Sequence, residues 1–289
     1  MKTGFVSIIG RPNAGKSTLI NALIGRKISI VTSKPQTTRN AIQGVLNQPN
    51  LQVVFVDTPG IHKPKAQLGN AMNATAFSSL KDIDMILYVV DASVPFGTGD
   101  EYLINRIKNE DKIIVVFNKI DRTNVALIES LKVSYQHHLP QAACIEISAL
   151  NKVFLTDLIE LIQKKLKKGP LYFPEGVYTN YPESFMISEL IREKIIELTR
   201  QEIPHSIAVH IDKIEDLKEG KYIQASVIVE RQSQKAILIG EKGKMIRKIA
   251  YQATRDVQLL LKQSALIELY VKVEEDWRNS ASKLKEFGY

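Results

Sequence analysis

The sequence predicts an α/β protein: a doubly wound, mostly parallel sheet with one antiparallel edge strand over residues 1–170, then a smaller α+β module over 184–289. Three observations predict it. Apolar, strand-like runs alternate with helical patterns through the first half. A glycine-rich turn stands between the first run and the first helical pattern. A stretch with three prolines, two glycines and no helical periodicity, 169-GPLYFPEGVYTNYPES-184, separates the halves, and we read 171–183 as a linker.

The strands expected in the first half are 4-GFVSIIG-10, 51-LQVVFV-56, 84-DMILYVVDA-92, 112-KIIVVFN-118 and 143-ACIEIS-148. They are apolar without alternation, as strands buried on both faces are. Residues 40-NAIQGVLN-47 are expected to return antiparallel to 51–56 through the turn at 48-QPN-50, as an edge strand. Helices are expected from near Lys16, Gln67, Gly99, Asn124 and Val153. In the second half, 185–202 has helical spacing, 206–215 and 222–231 read as strands, and 234–240 reads as a short helix. An amphipathic helix from Lys244 to about Lys262 and a strand at 266–273 complete the pattern.

Composition narrows the classes. Hydrophobic residues are 44% and charged residues 24%, the balance of a folded chain and not of a disordered or collagen-like one. No apolar run approaches a membrane span. The start, MKTGFVSIIG, runs straight into a strand pattern, so no secretory leader is expected. Cys144 is the one cysteine, which suits a reducing cytoplasm. The net charge is +8, and it is unevenly spread: residues 231–262 hold eight Lys/Arg against two Asp/Glu, inside a second half that is otherwise acidic.

The chemistry begins at Gly10-Arg11-Pro12-Asn13-Ala14-Gly15-Lys16-Ser17, followed by Thr18, which matches the phosphate loop G-x-x-x-x-G-K-[ST] between a strand and a helix. Glycines let the chain wrap so closely that its amides point at phosphate oxygens, and the helix start adds its positive dipole end. Lys16 is expected on the β- and γ-phosphates, and Ser17 on Mg²⁺. Asp57-Thr58-Pro59-Gly60 follows the strand 51–56, where a carboxylate would hold Mg²⁺ through water and the Gly60 amide would meet the γ-phosphate. Asn118-Lys119-Ile120-Asp121 and Ser148-Ala149-Leu150 end two later strands. All four motifs fall at carboxyl ends of strands, where open α/β sheets bind ligands.

Asp121 selects the base. Its carboxylate can accept from guanine N1–H and N2–H₂, whereas adenine offers no such donor pair on that edge, so an ATPase is disfavoured. Asn118 and Lys119 would position the ring, and the Ala149 amide would meet O6. Between the phosphate loop and Asp57 a switch threonine is expected within 35-PQTTR-39; by its spacing to Arg39, Thr38 ranks first as the Mg²⁺ ligand and Thr37 second. The residue after Gly60 is Ile61, which cannot hydrogen-bond a water, so intrinsic turnover is expected to be slow, on the order of 10⁻³ s⁻¹ or below.

In the second half, Gly240-Glu241-Lys242-Gly243 joins a short apolar helix to a helix carrying Lys244, Arg247, Lys248 and Arg255. That is the arrangement of a KH module, whose G-x-x-G loop clamps about four nucleotides of a single strand. Lys242 and Lys244 can neutralise phosphates.

The nucleotide motifs resemble those of the translation-factor-type GTPases. Taken together, G-R-P-N-A-G-K-S, P-Q-T-T-R, D-T-P-G-I-H, N-K-I-D and S-A-L, then a proline-rich linker, a KH-type loop and the tail 271-VKVEEDWRNSASKLKEFGY-289, closely resemble the Era family of ribosome-assembly GTPases over essentially the whole chain. The resemblance implies a P-loop GTPase domain followed by a type II KH domain, with GTP/GDP and Mg²⁺ as cofactors. It also implies binding to the 3′ end of 16S ribosomal RNA, a role in assembling the 30S subunit, a monomeric state, and peripheral association with the inner membrane. In related GTPases the asparagine of P-N-x-G-K-S helps hold K⁺, which implies that role for Asn13. The rival reading is a GTPase whose basic second half binds membrane or a protein.

Overall fold

The structure is a computed structural model that describes residues 1–32, 38–59, 67–78, 83–107, 112–199 and 206–289. Thr37, Gly60 and Ile61 fall outside the described residues. The chain divides into two compact units, the first built from most of residues 1–180 and the second centred on Tyr181–Tyr289.

The first unit has six strands: β1 (Lys2–Gly10), β2 (Ile42–Gln48), β3 (Leu51–Asp57), β4 (Met85–Asp91), β5 (Ile113–Asn118) and β6 (Ala143–Glu146). Their order in the sheet is β2-β3-β1-β4-β5-β6. β1, β3, β4, β5 and β6 run parallel, and β2 returns antiparallel to β3. β3 is buried from end to end: Val53–Val56 form an apolar run, and the polar Gln52 and Asp57 are buried on either side of it. Among the described residues the helices are α1 (Lys16–Ile24), α2 (Gln67–Ser78), α3 (Thr98–Ile107), α4 (Val125–His138) and α5 (Leu155–Lys165). Alternate residues of β4, Ile86, Tyr88 and Val90, pack with Leu103 and Ile107 of α3 and Leu131 and Tyr135 of α4.

The edge of β2 is covered by the segment we read as a linker. Val45 donates its N–H to the Tyr178 carbonyl (2.9 Å), and the Thr179 hydroxyl donates to the Gln43 carbonyl (2.8 Å). Behind them the fully buried Gln52 side chain accepts from the N–H groups of Tyr172 and Phe173 and donates to the Phe173 carbonyl, at 2.8, 3.1 and 2.8 Å. Tyr172 meets Phe5 edge-on. Prolines suggested a spacer; the backbone between them closes an exposed sheet edge.

The second unit follows the order α6 (Glu183–Leu198), β7 (Ala208–Leu217), β8 (Gly220–Val229), α7 (Gln232–Ile239), α8 (Lys244–Leu261) and β9 (Ala265–Val273), with a last short helix α9 (Ala281–Glu286). β7 and β8 are antiparallel, β8 and β9 parallel. Ile187, Ile191 and Ile195 of α6 and Ile249, Ala253 and Val257 of α8 share one core with Ile223, Ala225 and Val227 of β8. The tail is part of this unit: Trp277 is fully buried, donates its indole N–H to the Ser206 carbonyl (3.1 Å), meets Phe287 edge-on and stacks with Tyr289.

Trp277→Ala is expected to destabilise the second unit by about 3–5 kcal/mol, because removing a buried indole leaves a cavity and deletes a hydrogen bond. Thermal unfolding of the full chain measures this as a lowered transition for that unit, with GDP affinity retained.

Candidate functional site

β1 ends at Gly10 and α1 begins at Lys16, so the loop between them is five residues wide and closed by backbone geometry. Gly15 sits at φ +96°, and a Cβ there would come within 2.3 Å of the Asn118 side-chain nitrogen; only glycine fits. Asn13 also takes a positive φ, +64°. The Lys16 ammonium is buried and donates to the carbonyls of Gly10 (3.1 Å) and Arg11 (3.0 Å). Burial pushes it down to about 8, with Asp57 pulling the other way.

Ser17, Thr38 and Asp57 meet beside it. The Ser17 hydroxyl lies 2.8 Å from Thr38 Oγ1 and donates to Asp57 Oδ2 at 2.8 Å, and Thr38 is 3.5 Å from the same oxygen. Asp57 is fully buried, which pushes its carboxyl up, opposed first by Lys16 and then by hydrogen bonds from Ser29, Ser17 and Thr38. Its other oxygen, Oδ1, is buried without a hydrogen-bond partner among the described residues. Two hydroxyls and a carboxylate with a bare oxygen are a fit for Mg²⁺, a hard cation that takes one or two protein carboxylates and shares the rest of its shell with water and phosphate.

The base-recognition motifs are tied to this loop. Asn118 donates to the Ala14 carbonyl (3.0 Å) and accepts from the Ala149 N–H (2.9 Å). Lys119, at φ +68°, donates to the Asn13 carbonyl (2.7 Å) and to Asp91 (2.5 Å). Asp121 accepts from the Ser148 hydroxyl at 2.5 Å, which holds the carboxylate still. Leu150 is largely exposed on the same loop. Thr58 is turned inward, donating to the Ile8 carbonyl (2.8 Å), so its hydroxyl braces β3 against β1.

Two site residues escaped sequence reasoning. Ser29, buried, donates to Asp57 Oδ2 at 2.8 Å, and the Asn21 side chain fixes its backbone from α1. Asp91 anchors Lys119 and is itself held by the Ser93 N–H and hydroxyl; those hydrogen bonds with Lys119 leave its carboxyl below the usual range despite partial burial. Neither lies in a recognised motif. An apolar strand ending in aspartate was the only available signal for Asp91.

In the second unit, Gly240 takes φ +68°, with no room for a Cβ beside Met245, and Lys242 and Gly243 also take positive φ. The loop therefore turns tightly before α8. Arg247 donates to the Lys242 carbonyl (2.6 Å), and the exposed Lys244 and Glu241 are 3.7 Å apart. Lys248, Tyr251, Arg255 and Leu259 continue as exposed positions along α8.

Residues 5–119 match the family described as 50S ribosome-binding GTPase, and residues 202–278 match the KH domain family. A crystal structure of Aquifex aeolicus Era, a point variant bound to GDP and AlF₄⁻, is 39% identical with a TM-score of 0.96 over 100% of this chain and 99% of that one. The chain belongs to the Era family of GTPases. A second Era structure, in complex with MgGDPNP and nucleotides 1506–1542 of 16S ribosomal RNA, matches with the same identity, coverage and TM-score. The Era likeness extends through the sheet, the linker and the α–β–β–α–α–β unit, so the expected fold, a P-loop GTPase followed by a KH domain, holds over the whole length.

Two expectations follow from this geometry. Asp121→Asn is expected to weaken GDP binding about a hundredfold and to improve binding of xanthosine nucleotides, measured by titration with fluorescent nucleotides. A phosphate beside Lys16 favours its charged form, so nucleotide binding takes up a proton and affinity falls as pH rises through about 8. Between pH 7 and 8.5, below the pH at which guanine itself deprotonates, the GDP dissociation constant is expected to rise about fourfold at fixed ionic strength and Mg²⁺.

Proposed function

We propose that this protein is a GTP-hydrolysing switch that binds the 3′ end of 16S ribosomal RNA through its second unit and serves assembly of the 30S subunit. One observation carries the reading: the full-length likeness to an Era whose structure holds both a GTP analogue with Mg²⁺ and that RNA segment. The 50S in the broader family's description belongs to that family; the RNA in the relative is of the small subunit.

In this reading the amides of Gly10–Ser17 and the Lys16 ammonium hold the phosphates, and Asp121 selects guanine with Asn118 and Lys119 beneath the ring. Ser17 and Thr38 hold Mg²⁺ with Asp57 beside them, and the ion supplies charge neutralisation at the phosphoryl oxygens. Asp57, kept in place by three hydroxyls, orients that corner before any ligand arrives. Ile61 offers no hydrogen bond to a water, and Asn13, presented by its positive φ, is assigned to K⁺. Rates equal in Na⁺ and K⁺ buffers would remove that assignment; a higher rate in K⁺ is expected, together with stimulation by the RNA 3′ tail.

The second unit supplies an RNA clamp from Gly240, Glu241, Lys242, Gly243, Lys244 and Arg247. A ribosome-assembly role implies a cytoplasmic protein. Peripheral membrane association and a monomeric state are implications of the family likeness alone; among the described residues no helix is long and apolar enough to cross a membrane. Gly243→Asp puts a carboxylate beside Arg247 and against the incoming phosphates; a Cβ meets only that side chain, at 3.6 Å or more, but φ +75° also strains the loop that forms the clamp. It is expected to weaken binding of the single-stranded 3′ tail by about tenfold or more while leaving GDP affinity intact. Loss of vesicle binding with RNA binding unchanged would favour the membrane reading of the second half.

A further inference from the structure

We propose that Asp100 is a positioning residue for the phosphate loop, acting through Arg11. Asp100 belongs to none of the nucleotide motifs. It stands in the first turn of α3, 3% exposed, and three donors converge on its carboxylate. Arg11 Nη1 reaches Oδ2 at 3.0 Å, the Gly97 N–H reaches the same oxygen at 3.1 Å, and the Tyr88 hydroxyl reaches Oδ1 at 3.3 Å. Tyr88 is itself fully buried and meets Tyr135 edge-on at 5.6 Å, so the carboxylate is fixed from below by the core.

The arginine has a fitted seat. Its guanidinium lies over Gly99, where a Cβ would come 3.0 Å from Nε and 3.4 Å from Cδ and Cζ. A helix start needs only an acid near its first N–H groups, and an exposed aspartate would serve. Burial of the carboxylate, its second hydrogen-bonded oxygen and the bare glycine under the arginine go beyond that need. They hold Arg11 in one place.

What is held matters to the nucleotide. The Arg11 carbonyl accepts from the Lys16 ammonium (3.0 Å) and from the Ala14 N–H (3.3 Å). Fixing the Arg11 side chain on α3 therefore fixes an acceptor that positions the phosphate-binding lysine and closes the turn that presents Asn13. Lys119 clamps the other end of the same turn through the Asn13 carbonyl. The loop is braced from both sides before phosphate arrives, which is how a binding site keeps its ordering cost low.

The proposal rests on the guanine-nucleotide reading, and a double-mutant cycle tests it. GDP affinity, and KM and kcat for GTP, are measured on the full chain for wild type, Asp100→Asn, Arg11→Gln and the double variant. Asparagine keeps one acceptor oxygen, for the Gly97 N–H, can donate its NH₂ to the Tyr88 oxygen, and loses the charge that Arg11 needs. Each single change is expected to raise the GDP dissociation constant and KM about five- to tenfold with kcat little altered, and the double change to add nothing further. Effects that multiply in the double variant, or GDP binding by Asp100→Asn equal to wild type, overturn the proposal. Should Asp100→Asn fail to fold, Arg11→Gln alone decides, since a half-exposed side chain can be removed safely: unaltered GDP affinity overturns the role. Failure of the wild type to bind GDP would sink the underlying reading instead.

Discussion

The nucleotide site depends on one buried amide. Asn118, 2% exposed at the end of β5, donates to the phosphate loop at Ala14 and accepts from the Ala149 N–H on the loop after β6. A parallel sheet fixes how far apart strand ends lie side by side, but leaves their loops free to spread in depth. This side chain sets that remaining distance, and Gly15 is the residue that lets it come so close. On the proposed assignment, base recognition and phosphate binding would then be mechanically one site, since the loop assigned to guanine tethers the loop assigned to the phosphates.

The electrostatics follow from the same closeness. Lys16 and Asp57 are both buried, and burial pushes them in opposite directions, the lysine down and the carboxyl up. Each relieves the other only in part. A bound anion beside Lys16 and a cation beside Asp57 would relieve both, so the strain of the protein alone becomes affinity for the pair of ligands taken together. The hydroxyls of Ser17, Ser29 and Thr38 keep the carboxylate oriented meanwhile. A site built this way binds a metal-nucleotide complex better than either component.

Much of this was legible in the sequence, because phosphate loops and base-reading loops are local: their residues stand at fixed spacings beside strands that announce themselves by apolar runs. The mostly parallel sheet and its antiparallel edge followed from the same runs. Ser29, Asp91 and Asp100 were not legible. Each acts across the fold on a residue 28 to 89 positions away, and no spacing rule links a serine or aspartate to such a partner. The packing of the linker was not legible for a related reason. Its prolines fit an irregular spacer, yet Tyr172, Phe173, Tyr178 and Thr179 find hydrogen bonds on Gln52 and β2 that only the folded sheet offers.

On the proposed assignments both units would meet phosphate with the same few atoms, and the difference between them is burial. Gly15 at φ +96° precedes Lys16 and α1; Gly243 at φ +75° precedes Lys244 and α8. In each, a left-handed glycine turns the chain so that a helix start and a lysine face one way. Lys16 is 6% exposed, walled by carbonyls and braced through Asn118 and Lys119, so its charge acts at low effective dielectric on a compact triphosphate. The Lys244 side chain is 70% exposed beside Glu241, where water and salt screen it. A screened lysine would hold a strand only together with neighbours such as Lys242, Arg247 and Lys248, and such a grip would weaken with salt more than the buried one. On that reading, one motif would give a discrete site for a small ligand in the first unit and a graded, releasable grip on a polymer in the second.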